Sequence, residues 1–185
     1  MKNIFIGGVS RSGKSTVCTF LADNLKHNHI PLDYFTASLK RNFPQCGIKS
    51  SVIINDTSEK LASLLSTVIN VIDDTGEKFI IDSAHIMPKD ILKVIDLEKW
   101  DVYFFGYPNI SKEEKFSLIK KYDKKTDWTV RKSDDELMDI FEKLIEISKK
   151  IQKECQIYNI KFIDTSKNFT SVLEKEKNNI LNNYR

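Results

Sequence analysis

The sequence predicts a single α/β domain built on a parallel sheet of about five strands with helices on both faces. Short apolar runs bounded by turn residues alternate with helical patterns along the chain, and this order of elements produces a parallel sheet. The predicted strands are the runs at residues 3–7, 32–36, 79–82, 102–106 and 160–164. The run Val102-Tyr103-Phe104-Phe105 is apolar at every position, which is typical of a strand covered on both faces.

Amphipathic spacing and capping residues mark the helices between these strands. One stripe with the i, i+3, i+4, i+7 spacing comprises Leu61, Leu64, Leu65, Val68, Ile69 and Ile72. Ser111 with Glu114, and Ser133 with Glu136, form the capping-box pattern ahead of two further helices. Pro88 suits the first turn of a helix that covers residues 89–95.

Length and composition restrict the function classes. The 185 residues suffice for one domain, residues 1–185, and 41% hydrophobic with 30% charged residues describes a globular protein. The net charge of +3 gives no reason to expect nucleic acid or a membrane surface as a partner. No apolar run is long enough for a membrane span and no signal-peptide core is present, so we expect a cytoplasmic protein.

The cysteines give no sign of a disulfide framework or a zinc site. Cys18, Cys46 and Cys155 are an odd, scattered set without a CxxC pair. We expect each to be a small buried or half-buried apolar residue, as free cysteines usually are.

A phosphate-binding motif follows the first predicted strand. Residues 8–16 read Gly-Val-Ser-Arg-Ser-Gly-Lys-Ser-Thr, which matches the pattern G-x-x-x-x-G-K-[ST]. The motif lies between a buried strand and a helix whose apolar stripe is Val17, Phe20, Leu21 and Leu25, which is the context that its mechanism needs. We therefore predict that the chain binds a nucleoside triphosphate, expected to be ATP, together with Mg²⁺.

The chemistry of this loop follows from its residue types. Glycines let the backbone turn so that successive N–H groups point into one concavity, and the helix N-terminus adds positive charge. Lys14 is expected to lie near the β- and γ-phosphates, and the Ser15 hydroxyl is expected to ligate Mg²⁺. The predicted nucleotide-binding residues are Gly8, Ser10, Arg11, Ser12, Gly13, Lys14, Ser15 and Thr16.

The loop resembles the G-x-S-x-S-G-K-[ST] loop of P-loop small-molecule kinases, such as gluconate kinases, uridine kinases and the wider adenylate-kinase-like group. The resemblance implies a P-loop NTPase fold and transfer of a γ-phosphoryl group. The order of strands and helices is similar along the whole chain, but similar motifs are confined to this loop and a few strand ends. Arg11 stands where these enzymes often have a small residue, and it could contact or close over the nucleotide phosphates.

Candidate site residues lie where predicted strands end, because ligands of open parallel sheets bind outside the carboxyl ends of the strands. In the kinases that the chain resembles, an acidic residue at the position of Asp33 can orient or deprotonate the acceptor hydroxyl. A solvated turn residue is the alternative for Asp33. Asp82 follows an apolar run and resembles the Walker B aspartate that holds a Mg²⁺-bound water. Ser83 and His85 come next and are candidates for acceptor binding.

Two segments resemble the mobile parts of such kinases. Residues 123–132 are a candidate lid, with Arg131 as the cation that reaches the transferring group, while residues 112–121 are expected to form a solvated lysine-rich helix face. Residues 37–78 form a longer connection than a simple crossover needs, and we expect them to be a helical insertion that covers the acceptor. Arg41 in this insertion is a further candidate for acceptor binding.

The leading functional prediction is therefore an ATP-dependent phosphotransferase that acts on a small molecule. A nucleoside or nucleoside-monophosphate kinase is the first alternative. A regulatory nucleotide-binding NTPase is the second alternative. Guanine-binding switch proteins share the motifs Asp-x-x-Gly and Asn-Lys-x-Asp, and both motifs are absent at the expected places in this chain.

Overall fold

The computed structural model describes residues 1–48 and 55–184, and its centre is a five-stranded parallel sheet in the order β2-β3-β1-β4-β5. The strands are β1 Asn3–Gly8, β2 Asn28–Pro31, β3 Phe79–Ser83, β4 Trp100–Gly106 and β5 Lys161–Asp164. The predicted sheet of about five parallel strands is confirmed. The strand that precedes the phosphate-binding motif lies at its centre, between β3 and β4.

Helices cover both faces of this sheet, as predicted. They are α1 Lys14–Leu25, α2 Leu32–Asn42, α3 Asn55–Thr75, α4 Pro88–Ile91, α5 Lys112–Tyr122, α6 Asp134–Ile157 and α7 Phe169–Asn182. Single 3₁₀ turns lie at Pro44–Cys46 and Trp128–Arg131. Both predicted capping boxes, at the starts of α5 and α6, are present with reciprocal hydrogen bonds.

The core has two layers because alternate side chains of the strands point to opposite faces. Phe5 and Phe104 point to the layer filled by α3 and α6. Ile4, Ile6 and Phe105 point to the other layer, where α1 and α7 pack. Every residue of β1 is buried, which fixes the start of the phosphate-binding loop in the middle of the molecule.

The predicted second strand at residues 32–36 is wrong. The strand is β2, which pairs with β3, and Leu32 already begins a helix. Leu32 and Thr36 are the buried residues of that helix, one turn apart, whereas Tyr34 and Phe35 are exposed. The short apolar run was therefore one turn of a half-buried helix, which cannot be told from a strand over so few residues.

Two smaller expectations also need correction. The predicted helix at 89–95 is shorter, because α4 ends at Ile91 and turns follow. Cys46 is exposed, whereas Cys18 and Cys155 are buried as expected.

The expected insertion at residues 37–78 contains most of α2, a 3₁₀ turn and α3; residues 49–54 within it lie outside the described residues. Helix α3 buries Leu61, Leu65 and Ile69 in the core that it shares with the sheet. It therefore serves as a crossover helix of the sheet. Among the described helices, none is both long and apolar enough to cross a membrane.

Candidate functional site

The loop between β1 and α1 turns sharply at three positions. Gly8, Arg11 and Gly13 all have positive φ, at 129°, 63° and 94°. A side chain at Gly8 is impossible, because its Cβ would lie 1.9 Å from the carbonyl oxygen of Phe105 on β4. Gly13 caps α1 in the left-handed conformation that favours glycine. The two motif glycines are thus required by the backbone, and they wrap the loop around the N-terminus of α1.

Lys14 is folded into this loop. Its Nζ donates a 2.7 Å hydrogen bond to the carbonyl oxygen of Val9, and the Ser12 hydroxyl donates to the same oxygen at 2.8 Å. Burial lowers the pKa of Lys14, and Asp33 and Asp82 oppose that shift. The lysine is therefore held inside the loop concavity with two carboxylates near enough to influence its charge.

A second buried lysine, Lys115 of α5, supports the outer side of the loop. Its Nζ donates to the carbonyl oxygen of Arg11 at 2.9 Å and lies 3.7 Å from the centre of the Tyr107 ring. The Tyr107 hydroxyl in turn donates to the carbonyl oxygen of Ser10 at 2.8 Å. Burial, with a smaller contribution from the Arg11 charge, lowers the pKa of Lys115 to about 7.

The expectation that residues 112–121 form a solvated lysine face is therefore wrong for Lys115, which is only 2% exposed. One sequence signal was available. Lys115 precedes Ile119 by four residues, so both lie on the same helical face, and Ile119 is the buried apolar residue of α5.

Arg11 connects the loop to the predicted lid segment. Its guanidinium forms ion pairs with Asp123 and with Asp127, the latter at 2.9 Å. A hydrogen bond from the backbone N–H of Lys124 lowers the pKa of Asp127, and Arg11 lowers it further. We expected Arg11 to contact or close over the nucleotide phosphates. In this structure it instead pairs with two carboxylates of the predicted lid segment.

Asp82 stands at the end of β3, next to the loop. The register of β1 and β3 pairs it with Ile6, and its side chain is almost fully buried. The Ser15 hydroxyl lies 3.5 Å from Asp82 Oδ2. His29 of β2 approaches from the other side, with its Nε2 3.7 Å from Asp82 Oδ1.

Asp33 is in the first turn of α2, immediately after β2. It therefore lies at the carboxyl end of the sheet although the strand assigned to it was wrong. Its Oδ1 accepts a 3.1 Å hydrogen bond from the backbone N–H of Ala84 and lies 3.8 Å from His85 Nε2. Burial lowers the pKa of His85, and Asp33 opposes that shift. Ser83 is buried, and its hydroxyl accepts from the backbone N–H of His85.

One cavity of about 660 Å³ joins the loop, α2 and the lid segment. Its volume lies within the ~300–1,000 Å³ range of small-molecule sites. The lining residues are Ser10–Thr16 of the loop, Asp33 and Tyr34 of α2, Lys115, Leu118, Ile119 and Tyr122 of α5, Lys124, Thr126, Asp127 and Trp128 of the lid segment, and Phe169 of α7. No described residue between 37 and 78 is among them, so Arg41 is outside the lining. Arg131 is also outside it and is exposed.

Comparison with known proteins gives no match to a family model and none to a curated protein. Among solved structures, shikimate kinase from Bacteroides thetaiotaomicron is similar with a TM-score of 0.59 at 16% identity, covering 97% of this chain and 98% of the other. A gluconokinase from Sinorhizobium meliloti 1021 gives a TM-score of 0.58 at 13% identity, covering 99% and 95%. Shikimate kinase from Acinetobacter baumannii gives 0.55 at 17% identity, covering 99% and 94%. The chain has the P-loop kinase fold.

The P-loop kinase fold implies Mg²⁺ beside the loop, and the donors present here fit that ion. Mg²⁺ prefers hard oxygen ligands, supplied directly or through water. The Ser15 hydroxyl and the Asp82 carboxylate are two such donors, 3.5 Å apart, at the N-terminus of α1 and the end of the neighbouring strand. These two residues were the predicted metal ligands.

Proposed function

We propose that the protein transfers the γ-phosphoryl group of Mg·ATP to a hydroxyl group of a small-molecule acceptor. The observation that carries this proposal is that one cavity contains both the phosphate-binding loop and Asp33. A nucleotide-binding module needs the loop alone, whereas transfer to a second substrate needs polar groups that face the loop across an open space. The kinases among the structural neighbours support the same reaction class.

On the nucleotide side, backbone N–H groups of the loop and Lys14 would hold the phosphates. Lys14 would exchange its hydrogen bond with Val9 for phosphate oxygens, while Ser12 continues to satisfy that carbonyl. Ser15 and Asp82 would hold Mg²⁺, which offsets negative charge on the β- and γ-phosphate oxygens when bound. The predicted contacts of Ser10, Arg11 and Thr16 with the nucleotide belong to the same proposal, since all three line the cavity.

On the acceptor side, Asp33 would accept a hydrogen bond from the acceptor hydroxyl and orient it toward the γ-phosphorus. The hydrogen bond from Ala84 fixes one carboxylate oxygen, Oδ1, and Oδ2 is available to a ligand. His85 and Ser83 are outside the cavity lining, but His85 Nε2 lies 3.8 Å from Asp33 Oδ1 and would help to orient that carboxylate. Ser83 would act through His85, whose backbone it holds, and Arg41 would contact the acceptor only if its part of α2 moved.

The lid segment would exclude water and supply positive charge to the transferring group. Arg131 was the predicted cation, and it would reach the cavity only after the segment moves. Lys115 is already beside the loop, so we propose it as the nearer source of that charge. Burial lowers the pKa of this amine to about 7, and the approach of phosphates would favour its protonated form. Few water molecules would then screen the charge.

The nature of the acceptor is the least constrained part of the proposal. Tyr34, Tyr122 and Trp128 line the cavity, and aromatic side chains can stack on a flat ring. This feature favours the alternative of a nucleoside or nucleoside-monophosphate acceptor. Because the structural neighbours include shikimate kinase and a gluconokinase, shikimate and gluconate must also be tested as acceptors. In a purely regulatory NTPase there would be no acceptor at all.

A thermal-shift screen in two stages tests the proposal. The first stage compares Mg·ATP with Mg·GTP; a ligand at about 100 times its Kd adds roughly 2.7 kcal/mol of stability. The second stage adds nucleosides, nucleoside monophosphates, sugar acids and shikimate to protein saturated with a non-hydrolysable ATP analogue. A second, additive shift identifies the acceptor, and release of ADP is then measured with that compound.

Lys14→Ala is the matched negative control, and Lys175→Ala on the exposed surface of α7 controls for loss of a lysine charge. We expect the first variant to lose about half or more of the Mg·ATP shift, because a 10- to 100-fold weaker Kd leaves roughly 0.4–1.4 kcal/mol of it, and the second variant to keep it. Nucleotide binding without any acceptor-dependent shift or ADP release would contradict phosphoryl transfer and favour the regulatory alternative. No nucleotide shift in the parent protein would contradict both.

A further inference from the structure

Three side chains with metal-binding atoms converge behind the phosphate-binding loop. They are Cys18 of α1, His29 of β2 and Asp82 of β3, and one ligand atom of each lies within 4.8 Å of the others. They come from three different elements, so no short sequence motif predicts that they lie together. The absence of a CxxC pair is therefore no evidence against a metal site at Cys18.

The cluster is buried and one of its atoms has no partner. Cys18 is fully buried and Asp82 is 4% exposed. The His29 side chain is 20% exposed, but its Nε2 atom is buried without a hydrogen-bond partner. A buried polar atom without a partner is costly. That atom points toward Asp82, with Nε2 and Oδ1 3.7 Å apart.

The spacing and chemistry of these donors suit zinc. In a tetrahedral Zn²⁺ site with Zn–N and Zn–O bonds of ~2.0–2.2 Å and Zn–S bonds of ~2.3 Å, the donors are about 3.3–3.8 Å apart. The His29–Asp82 pair already has this separation, and small side-chain rotations would bring Cys18 to it. Thiolate and imidazole ligands favour Zn²⁺ over Mg²⁺, which prefers oxygen.

We propose that Cys18, His29 and Asp82 form a Zn²⁺ site that inhibits the protein by weakening the Mg²⁺ site at Asp82. Three protein ligands leave a fourth position for water. Zinc would bind Asp82 Oδ1, which faces His29, whereas Oδ2 faces Ser15. The bound zinc would offset the negative charge of this carboxylate and repel a second divalent cation beside it, so zinc weakens productive Mg·ATP binding. The existence of the site does not depend on the proposed function, whereas its inhibitory effect does.

The first experiment measures the metal alone. Metal-free full-length protein is titrated with Zn²⁺ against a chelating indicator, and with Co²⁺, whose absorption reports thiolate ligation. We expect one equivalent to bind, with a thiolate-to-cobalt band, in the presence of a large excess of Mg²⁺. Cys18→Ser and His29→Asn should each weaken zinc binding at least about tenfold. Cys46→Ser, which removes an exposed thiol elsewhere, should change nothing.

The melting temperature of each variant shows whether it is folded, and the two ligand variants are independent tests. Equal zinc affinity in the parent, Cys18→Ser and His29→Asn would overturn the site. Loss of binding in Cys46→Ser alone would overturn it as well.

The second experiment measures Mg·ATP binding by calorimetry with and without one equivalent of Zn²⁺. Zinc should suppress binding by the parent at least about tenfold and leave Cys18→Ser nearly unaffected. Unchanged Mg·ATP binding in zinc-loaded parent protein would overturn the inhibitory effect. A parent that binds no Mg·ATP even without zinc would instead contradict the proposed function, and the metal titration would still report on the site.

Discussion

The two halves of the cavity, which we assign to the nucleotide and to the acceptor and call the nucleotide half and the acceptor half, are held in different ways. In the nucleotide half, Lys14, Ser12 and Lys115 are buried and each donates a hydrogen bond to a loop carbonyl oxygen. In the acceptor half, the Asp33 side chain is 52% exposed and Tyr34 is 76% exposed. The first half is held in place, without a ligand, by hydrogen bonds from buried side chains to the loop backbone. The second half presents exposed side chains that a ligand or a closed lid would order.

The largest expected effect, with binding and turnover combined, is in the nucleotide half. Lys14→Ala should weaken Mg·ATP binding by about 10- to 100-fold, since a hydrogen bond to a charged group contributes ~1.5–3 kcal/mol. It should also slow any remaining turnover by roughly 10²–10³, the cost of losing one preorganised charge-stabilising donor. Calorimetry and ADP release measure the two effects separately.

The fold of this variant should survive, because Ser12 still donates to the Val9 carbonyl oxygen that Lys14 leaves. The control is Lys175→Ala, whose Mg·ATP affinity should equal that of the parent. If Lys14→Ala bound Mg·ATP as tightly as the parent, the preformed loop would not be a phosphate site.

In the acceptor half, Asp33→Asn should separate binding from turnover. ATP affinity should stay within about twofold of the parent, while turnover with the true acceptor falls by roughly 10²–10⁴, the usual range for a positioned base. Steady-state kinetics with the acceptor from the thermal-shift screen measure the effect. Asp23→Asn, a change at an exposed position of α1, is the matched control. If Asp33→Asn kept near-parental turnover, the proposed role of Asp33 in orienting the acceptor hydroxyl would be wrong.

Asp82→Asn sharpens the comparison within the nucleotide half. If Asp82 holds Mg²⁺, the variant should bind ATP about 10- to 100-fold more weakly in Mg²⁺ but nearly as well as the parent in EDTA. Calorimetric titrations of parent and variant with ATP, in Mg²⁺ and in EDTA, give the ratio of their ATP dissociation constants under each condition. A loss of equal size in Mg²⁺ and in EDTA would mean that Asp82 supports the loop without binding the metal.

The smallest effect concerns Lys115, on the boundary of the two halves. Its pKa of about 7 should rise when phosphates approach, so ATP binding should take up a proton near pH 8. ATP affinity should then fall by up to about tenfold per pH unit above pH 7. Calorimetry in two buffers with different ionisation enthalpies measures the proton directly. Lys115→Met should abolish the uptake, and Lys121→Met, at an exposed position of α5, should keep it.

The same amine sets a pH dependence of stability without nucleotide. Because its pKa is near 7 in the folded protein and 10.5 in the unfolded chain, the destabilisation is complete below about pH 7 and disappears as the pH rises toward 10.5. The free energy of unfolding of the parent, relative to that of Lys115→Met, should therefore increase over this interval. Urea unfolding at several pH values measures it, and a constant difference would show that Lys115 keeps its ordinary pKa.

The sequence predicts the position and backbone geometry of the loop at residues 8–16 well, because the information for them is local. The loop motif, the strand before it and the helix after it lie within some twenty residues, and the backbone geometry at Gly8 and Gly13 requires those glycines. The capping boxes at Ser111 and Ser133 were predictable for the same reason.

The acceptor half is harder to predict because it depends on contacts between distant segments. The position of Asp33 near the loop follows from sheet order, and the strand assigned to it was wrong. Lys115 is buried beside the Tyr107 ring and against the Arg11 carbonyl oxygen, and the loop residue Arg11 lies 104 positions earlier in the chain. The group of Cys18, His29 and Asp82 likewise exists only once α1, β2 and β3 have packed together.

The close packing around Gly13 has a consequence for how the protein is made. A side chain at this glycine would meet Leu173 and Phe169 of α7, so that helix forms the back wall of the loop. During synthesis on the ribosome, residues 8–16 emerge long before residues 169–182. The loop cannot reach its final packing until the later helix has emerged and docked. Its formation therefore depends on contacts between distant parts of the chain, which are typically slow to form. The nascent protein should acquire the nucleotide binding that we propose only after residues 169–182 have been translated.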